Sequence, residues 1–243
     1  MEQYTSMAQT LKDTLGLKRE PVAVKLVRDE DELNNLNISG YDADTKCRYC
    51  QSVMRASKGE KVFLSAANLA CAAAAAAFGI KSLPPKLASG EAHYNVGTFG
   101  TQEAAHRIMS EMPRLALGDC NFVLVNPLGA CEFEPDVVVV EAAPENLMWL
   151  ALASIYTTGE RLNFSTSVVQ ATCVDSTVVP FKTGQPNAVL GCTGCREATD
   201  LELTENLLGI PFKFMTSVAE NLEDIEDIII HNRSKSAYEH FKK

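Results

Sequence analysis

The chain of 243 residues carries a formal net charge of −9 and eight cysteines. Its acidic balance argues against a nucleic-acid partner, because phosphate recognition rests on clustered Lys and Arg, and fits plain solubility. The N-terminus, MEQYTSMAQTLKDTLG, has neither the basic nor the apolar region of a signal peptide. The longest apolar stretch, Leu69 to Phe78, falls short of the ~20 residues a bilayer requires, so a cytoplasmic protein with no membrane partner is expected.

In chain order, Met7, Leu11 and Leu15 are spaced for a helix from Thr5 to Leu15, which Gly16 closes. Pro21 to Val27 is β-branched and reads as a strand. Cys47 to Ser57 reads as a helix ending at Gly59, Val62 to Leu64 as a short strand, and Asn68 to Phe78 as an alanine-rich helix stopped by Gly79. Pro84-Pro85 and Gly90 mark a loop, and Thr101 is placed to cap a helix from Gln102 to Met112. Cys120 to Val125 and Asp136 to Val140 are continuous apolar runs, the pattern of strands buried on both faces. Pro144 fits the first position of a helix running to Thr158. Val218, Leu222, Ile225 and Ile229 share one face of a helix from Ser217 to Ile230. This alternation argues for an α/β or α+β fold, a mixed sheet with flanking helices.

The cysteines carry the chemical signal. Cys47/Cys50 and Cys192/Cys195 are spaced Cys-x-x-Cys, while Cys71 and Cys173 each follow a Gly-Glu dipeptide. A reducing compartment makes structural disulfides rare, so retained thiols point to metal binding or redox chemistry. Gly59 and Gly159 lie 100 positions apart and Cys71 and Cys173 lie 102 apart, which suggests an internal duplication with halves at about 15–115 and 116–215 and a helical tail at 216–243 of one domain, 1–243. Cys120 and Cys131 flank strand-like runs and read as core residues. His93, His106, His231 and His240 are scattered, and none neighbours a cysteine in the sequence.

The GCTGCRE segment reads as a strand-to-helix turn before a helix at Thr199 to Leu207. Gly191 and Gly194 permit positive φ and close approach of backbone to a bulky group. Turn N–H groups could donate to sulfides, thiolates or a small anion. Arg196 could hold a carboxylate or phosphate and would depress the pKa of a neighbouring cysteine. A plain surface turn, with Arg196 paired to Glu197 or Asp200, is the other reading. Glu132, Glu134 and Asp136 read as a solvated strand entry. Asn68 and Tyr49 are candidate supporting donors, and Trp149 a core residue. No Walker P-loop, G-x-G-x-x-G or G-x-S-x-G motif occurs.

PVAVKLV, the Gly-Glu between Cys50 and Cys71, PLGACEFEPDVVVV and PNAVLGCTGCRE resemble the uncharacterised family catalogued as domain of unknown function number 169, from about Leu15 to about Met215. The most specific element is Gly191, Cys192, Gly194 and Arg196. The resemblance implies a core set of four thiols, Cys50, Cys71, Cys173 and Cys192, with Cys47 and Cys195 more variable. It names no activity, and the family's distribution among anaerobic archaea and bacteria favours iron–sulfur chemistry.

Four thiolates suit a [4Fe–4S] cluster or a structural zinc. A zinc ribbon sets its two knuckles ~15–20 residues apart, whereas Cys50 and Cys192 are more than a hundred positions apart. The leading expectation is a cluster protein of anaerobic metabolism, used in electron transfer or small-substrate redox chemistry, with Gly191, Gly194 and Arg196 beside the cofactor. One alternative is a thiol redox enzyme cycling a Cys-x-x-Cys pair. Another is a non-enzymatic scaffold with zinc or no metal. A redox partner protein, a small anionic substrate and a homo-oligomer are the partners considered.

Overall fold

Six strands form one sheet in a computed structural model that describes residues 2–242. They are β1 (Val22–Val27), β2 (Val62–Leu64), β3 (Phe122–Pro127), β4 (Val137–Ala142), β5 (Asn187–Val189) and β6 (Asn206–Pro211), in the order β2-β3-β1-β4-β6-β5. Every ladder between these strands is antiparallel. The fold is therefore α+β, and the expected mixed sheet is an antiparallel one. The valine-rich runs of β1, β3 and β4 are buried on both faces, as their composition requires, because helices cover both sides.

The sheet order is unchanged when β1, β2, β3 are exchanged for β4, β5, β6. This is a correspondence of topology, and it would divide the chain between Pro127 and Val137. It also pairs the cysteines differently from the Gly-Glu spacing. Cys71 follows β2 and N-caps the Ala72–Ala77 helix, as Cys192 follows β5 and N-caps the Thr193–Ala198 helix. Cys50 and Cys173 sit in the helical segments that precede β2 and β5. Gly59 and Gly159 both take positive φ after a helix, a common role for glycine that recurs without any duplication.

One face of the sheet packs under regular helices: Glu2–Leu15, Pro144–Ile155 and Met215–Asp224. Leu11, Leu15, Trp149, Leu150, Met215, Val218 and Leu222 are buried there. The expected single C-terminal helix is split at Ile225, but Val218, Leu222, Ile225 and Ile229 all remain buried.

The opposite face is irregular. It carries the Tyr49–Ala56 helix, the Ala72–Ala77 helix and an eight-residue π-helix, Ala171–Val178. The alanine helix begins at Ala72, later than its composition suggests, because Asn68 is drawn into the preceding loop. Its amide donates to the carbonyls of Ala43 and Phe63, and its side-chain oxygen accepts from Ser65 N. Thr199 to Leu207 is not a helix: the helix occupies Thr193–Ala198, inside the motif itself, and β6 follows from Asn206. The loop expected around Pro84-Pro85 and Gly90 contains two short helices, Pro85–Ala88 and Glu91–Asn95. A Cβ on Gly209 would lie 1.9 Å from the Ser176 carbonyl oxygen, so only glycine lets β6 approach the π-helix this closely.

Candidate thiol pocket

Four separate chain segments bring five cysteines to one pocket of about 310 Å³ on the irregular face: Cys50, Cys71, Cys173, Cys192 and Cys195. Cys50 comes from the first turn of the Tyr49–Ala56 helix and Cys71 from the N-cap after β2. Cys173 comes from the π-helix, and the last two from the turn after β5. Two hydrogen bonds join the segments bearing Cys50 and Cys195. Arg48 Nη1 donates to Gly194 O at 3.3 Å, and Gln51 Nε2 donates to Ala198 O at 3.1 Å. Tyr49 is fully buried beneath the pocket and bonds Thr177 Oγ1 on the π-helix at 2.9 Å.

The π-helix is entered through strained backbone. Val168 and Gln170 have φ of 53° and 54°, a region that β-branched residues rarely adopt. Asp175 ties this entry down by accepting from Thr166 Oγ1 at 2.7 Å and Ser167 N at 3.3 Å. Asn187 on β5 adds bonds to Ser165 and to the Asp175 carbonyl. Strain and π-geometry that the surroundings hold in place concentrate at functional sites.

Cys192 Sγ and Cys195 Sγ are 3.0 Å apart, and Cys195 N donates to Cys192 Sγ at 3.4 Å. Thr172 Oγ1 donates to Cys195 Sγ at 3.1 Å. The contact with Cys195, and burial, push the Cys192 thiol far above its ordinary pKa. Burial also pushes Cys173 well up, reinforced by Cys71, Cys195 and Cys192. The Cys192 contact pulls Cys195 down, but Cys50 and burial outweigh it, and the net shift is upward. The low-pKa thiolate expected beside Arg196 is thus reversed. With these upward shifts the pocket favours protonated thiols.

The reason lies in where Arg196 points. Its guanidinium donates to the carbonyls of Glu202, Leu190 and Glu205 and to Asn206 Oδ1. It is absent from the pocket wall and pairs with neither Glu197 nor Asp200. Gly191, at φ +83°, leaves room for it: a Cβ there would lie 3.2 Å from Arg196 Nε. Gly191 and Arg196 shape the turn, while Gly194 lines the pocket. Cys47 is buried away from the pocket, beside Arg55. Its backbone bridges Asn68 and Ala70, anchoring the loop that leads to Cys71. Cys120 and Cys131 are core residues whose thiols donate to the carbonyls of Phe122 and Phe133.

Two polar residues of the pocket left no local signal in the sequence. His93, brought over by the Glu91–Asn95 helix, accepts at Nε2 from Gln170 Nε2 at 3.2 Å. Burial lowers its pKa, which keeps the ring neutral and able to accept. Leu87, Val96 and Val169 supply apolar wall. Among the described residues, no three His, Cys, Asp or Glu side chains are arranged to hold a single metal ion. No helix among the described residues is long and apolar enough to cross a membrane.

The family described as "uncharacterised ArCR", domain of unknown function 169, matches residues 10–221. The chain belongs to this family. An uncharacterised protein of Methanocaldococcus jannaschii is 28% identical over 229 residues, covering 93% of each chain. No solved structure gives a significant match to this ArCR protein.

Proposed function

We propose that the pocket binds one [4Fe–4S] cluster through Cys50, Cys71, Cys173 and Cys192, and that the protein serves electron transfer or small-substrate redox chemistry. The observation that supports this reading is the convergence of four thiols, from four separate segments, on one pocket. A zinc ion would draw its ligands close, since Zn–S bonds of ~2.3 Å put tetrahedral sulfurs about 4 Å apart. A cluster spreads its thiolates more widely around a larger inorganic core, which suits thiols that share a pocket without meeting at a point. Bound there, the cluster would supply one-electron chemistry. The chain would supply the enclosing apolar wall and a neutral His93 and Gln170 at its edge.

Protein purified without oxygen tests the reading: about four iron and four sulfide per chain are expected, with visible absorption that Cys71→Ser or Cys173→Ser largely removes. Stoichiometric zinc without iron would replace it with the zinc reading. Colourless protein that takes up no iron when reduced, yet reversibly loses two thiols on oxidation, would favour the thiol redox enzyme, the reading that the Cys192–Cys195 contact supports.

A further inference from the structure

The cluster reading uses four of the five pocket thiols and leaves Cys195 over. Cys195 is 6% exposed, and its sulfur touches that of Cys192, one of the proposed ligands. Cys192 is partly exposed and lines the pocket, so a small solute reaches it first. Only Thr193 and Gly194 separate the two, and the Cys195 amide already holds Cys192 Sγ. An S–S bond of ~2.05 Å is about 1 Å shorter than the present contact, a displacement within the reach of side-chain rotation.

We propose that Cys192 and Cys195 form a reversible disulfide in the metal-free protein, which withdraws Cys192 from the ligand set and blocks loading of the pocket. The bond itself needs no cluster; only its effect on loading rests on the cluster reading. The oxidant is a small-molecule disulfide. Cys192 attacks one of its sulfurs, its thiol proton passing to the departing small thiolate, which forms a mixed disulfide and releases the first small thiol. Cys195 then attacks Cys192 Sγ and releases the second. Two protein thiols become one disulfide, and one small disulfide becomes two thiols, so atoms and electrons balance. A dithiol reverses the step.

The test treats the metal-free full-length chain with oxidised glutathione, counts alkylatable thiols and maps the crosslink by peptide mass. Two of the eight thiols should be lost and then recovered with dithiothreitol, with the bond mapping to Cys192–Cys195. Cys195→Ser and Cys192→Ser should each abolish that crosslink. Iron and sulfide uptake by the oxidised wild-type protein should fall about tenfold or more, and Cys195→Ser, with no thiol to resolve the mixed disulfide, should instead keep one glutathione on Cys192 until dithiothreitol removes it. An unchanged thiol count overturns the disulfide, as does a bond mapping to Cys50–Cys195. A Cys192–Cys195 bond that leaves uptake unchanged overturns the blocking role. Failure of the reduced wild type to take up iron at all removes the cluster reading, while thiol counting still decides the disulfide.

Discussion

The two faces of the sheet are built on different principles. One is covered by helices of ten to fourteen residues whose large aliphatic side chains are fully buried. The other is covered by short helices, a run of alanines and a π-helix entered through positive φ at Val168 and Gln170. All five pocket cysteines lie on this second face; Cys131 packs on the first. Regular helices maximise burial but present side chains at a fixed period. Short and irregular ones sacrifice some burial and allow thiols from distant segments to face a common space. The contrast separates the face that buries large aliphatic side chains under regular helices from the face that gathers the pocket thiols.

The largest expected effect compares cysteines across the sheet. Cys173→Ser should remove most cluster iron, while Cys131→Ser should leave the iron content near wild type by metal analysis. Equal losses from both would erase the distinction between the faces. Next, Leu150→Ala on the regular face should cost about 2–5 kcal/mol in urea unfolding, because Leu150 is fully buried. Its iron content per folded chain should not change.

Gly209→Ala crosses the comparison, since the substitution is in β6 but its effect falls on the π-helix. With the Ser176 carbonyl in the way, the cost should lie near the upper end of about 1–3 kcal/mol. Iron should fall as well, because the displaced helix carries Cys173.

The smallest effect concerns the buried Glu141, 3.9 Å from Arg19 on the pocket side of β4. Burial raises its pKa to about 7 despite Arg19, above an unfolded value of about 4.3. The folded state therefore favours the protonated acid. That contribution is complete below about pH 4.3 and is lost as pH rises through 7. Over this window, wild type should lose on the order of 2 kcal/mol more than Glu141→Gln. Parallel stability profiles for the two proteins would refute the assignment.

Much of the regular face was legible in the sequence. Met7, Leu11 and Leu15, and Val218, Leu222, Ile225 and Ile229, show the helical period because a single buried stripe imposes it. The irregular face was harder to read. The π-helix has no distinctive period, and β6, though apolar, was masked by the helix expected at Thr199 to Leu207. The family resemblance implied Cys50, Cys71, Cys173 and Cys192 as a set, and all four line the pocket. Cys195 was ranked with Cys47 because the resemblance implies that both positions vary, yet only Cys195 lines the pocket.

The sequence by itself determined an acidic chain of alternating helices and strands with eight cysteines, two pairs of them spaced Cys-x-x-Cys, because composition, apolar period and short motifs are local properties. Only the tertiary structure decided that Cys50, Cys71, Cys173, Cys192 and Cys195 share one pocket, that Arg196 faces backbone carbonyls, and that His93 stands at the pocket wall. Apart from the Arg196 contacts, which span six to ten positions, those relations join residues tens to more than a hundred positions apart. Strand order and antiparallel register set them, and no local pattern of residues encodes either.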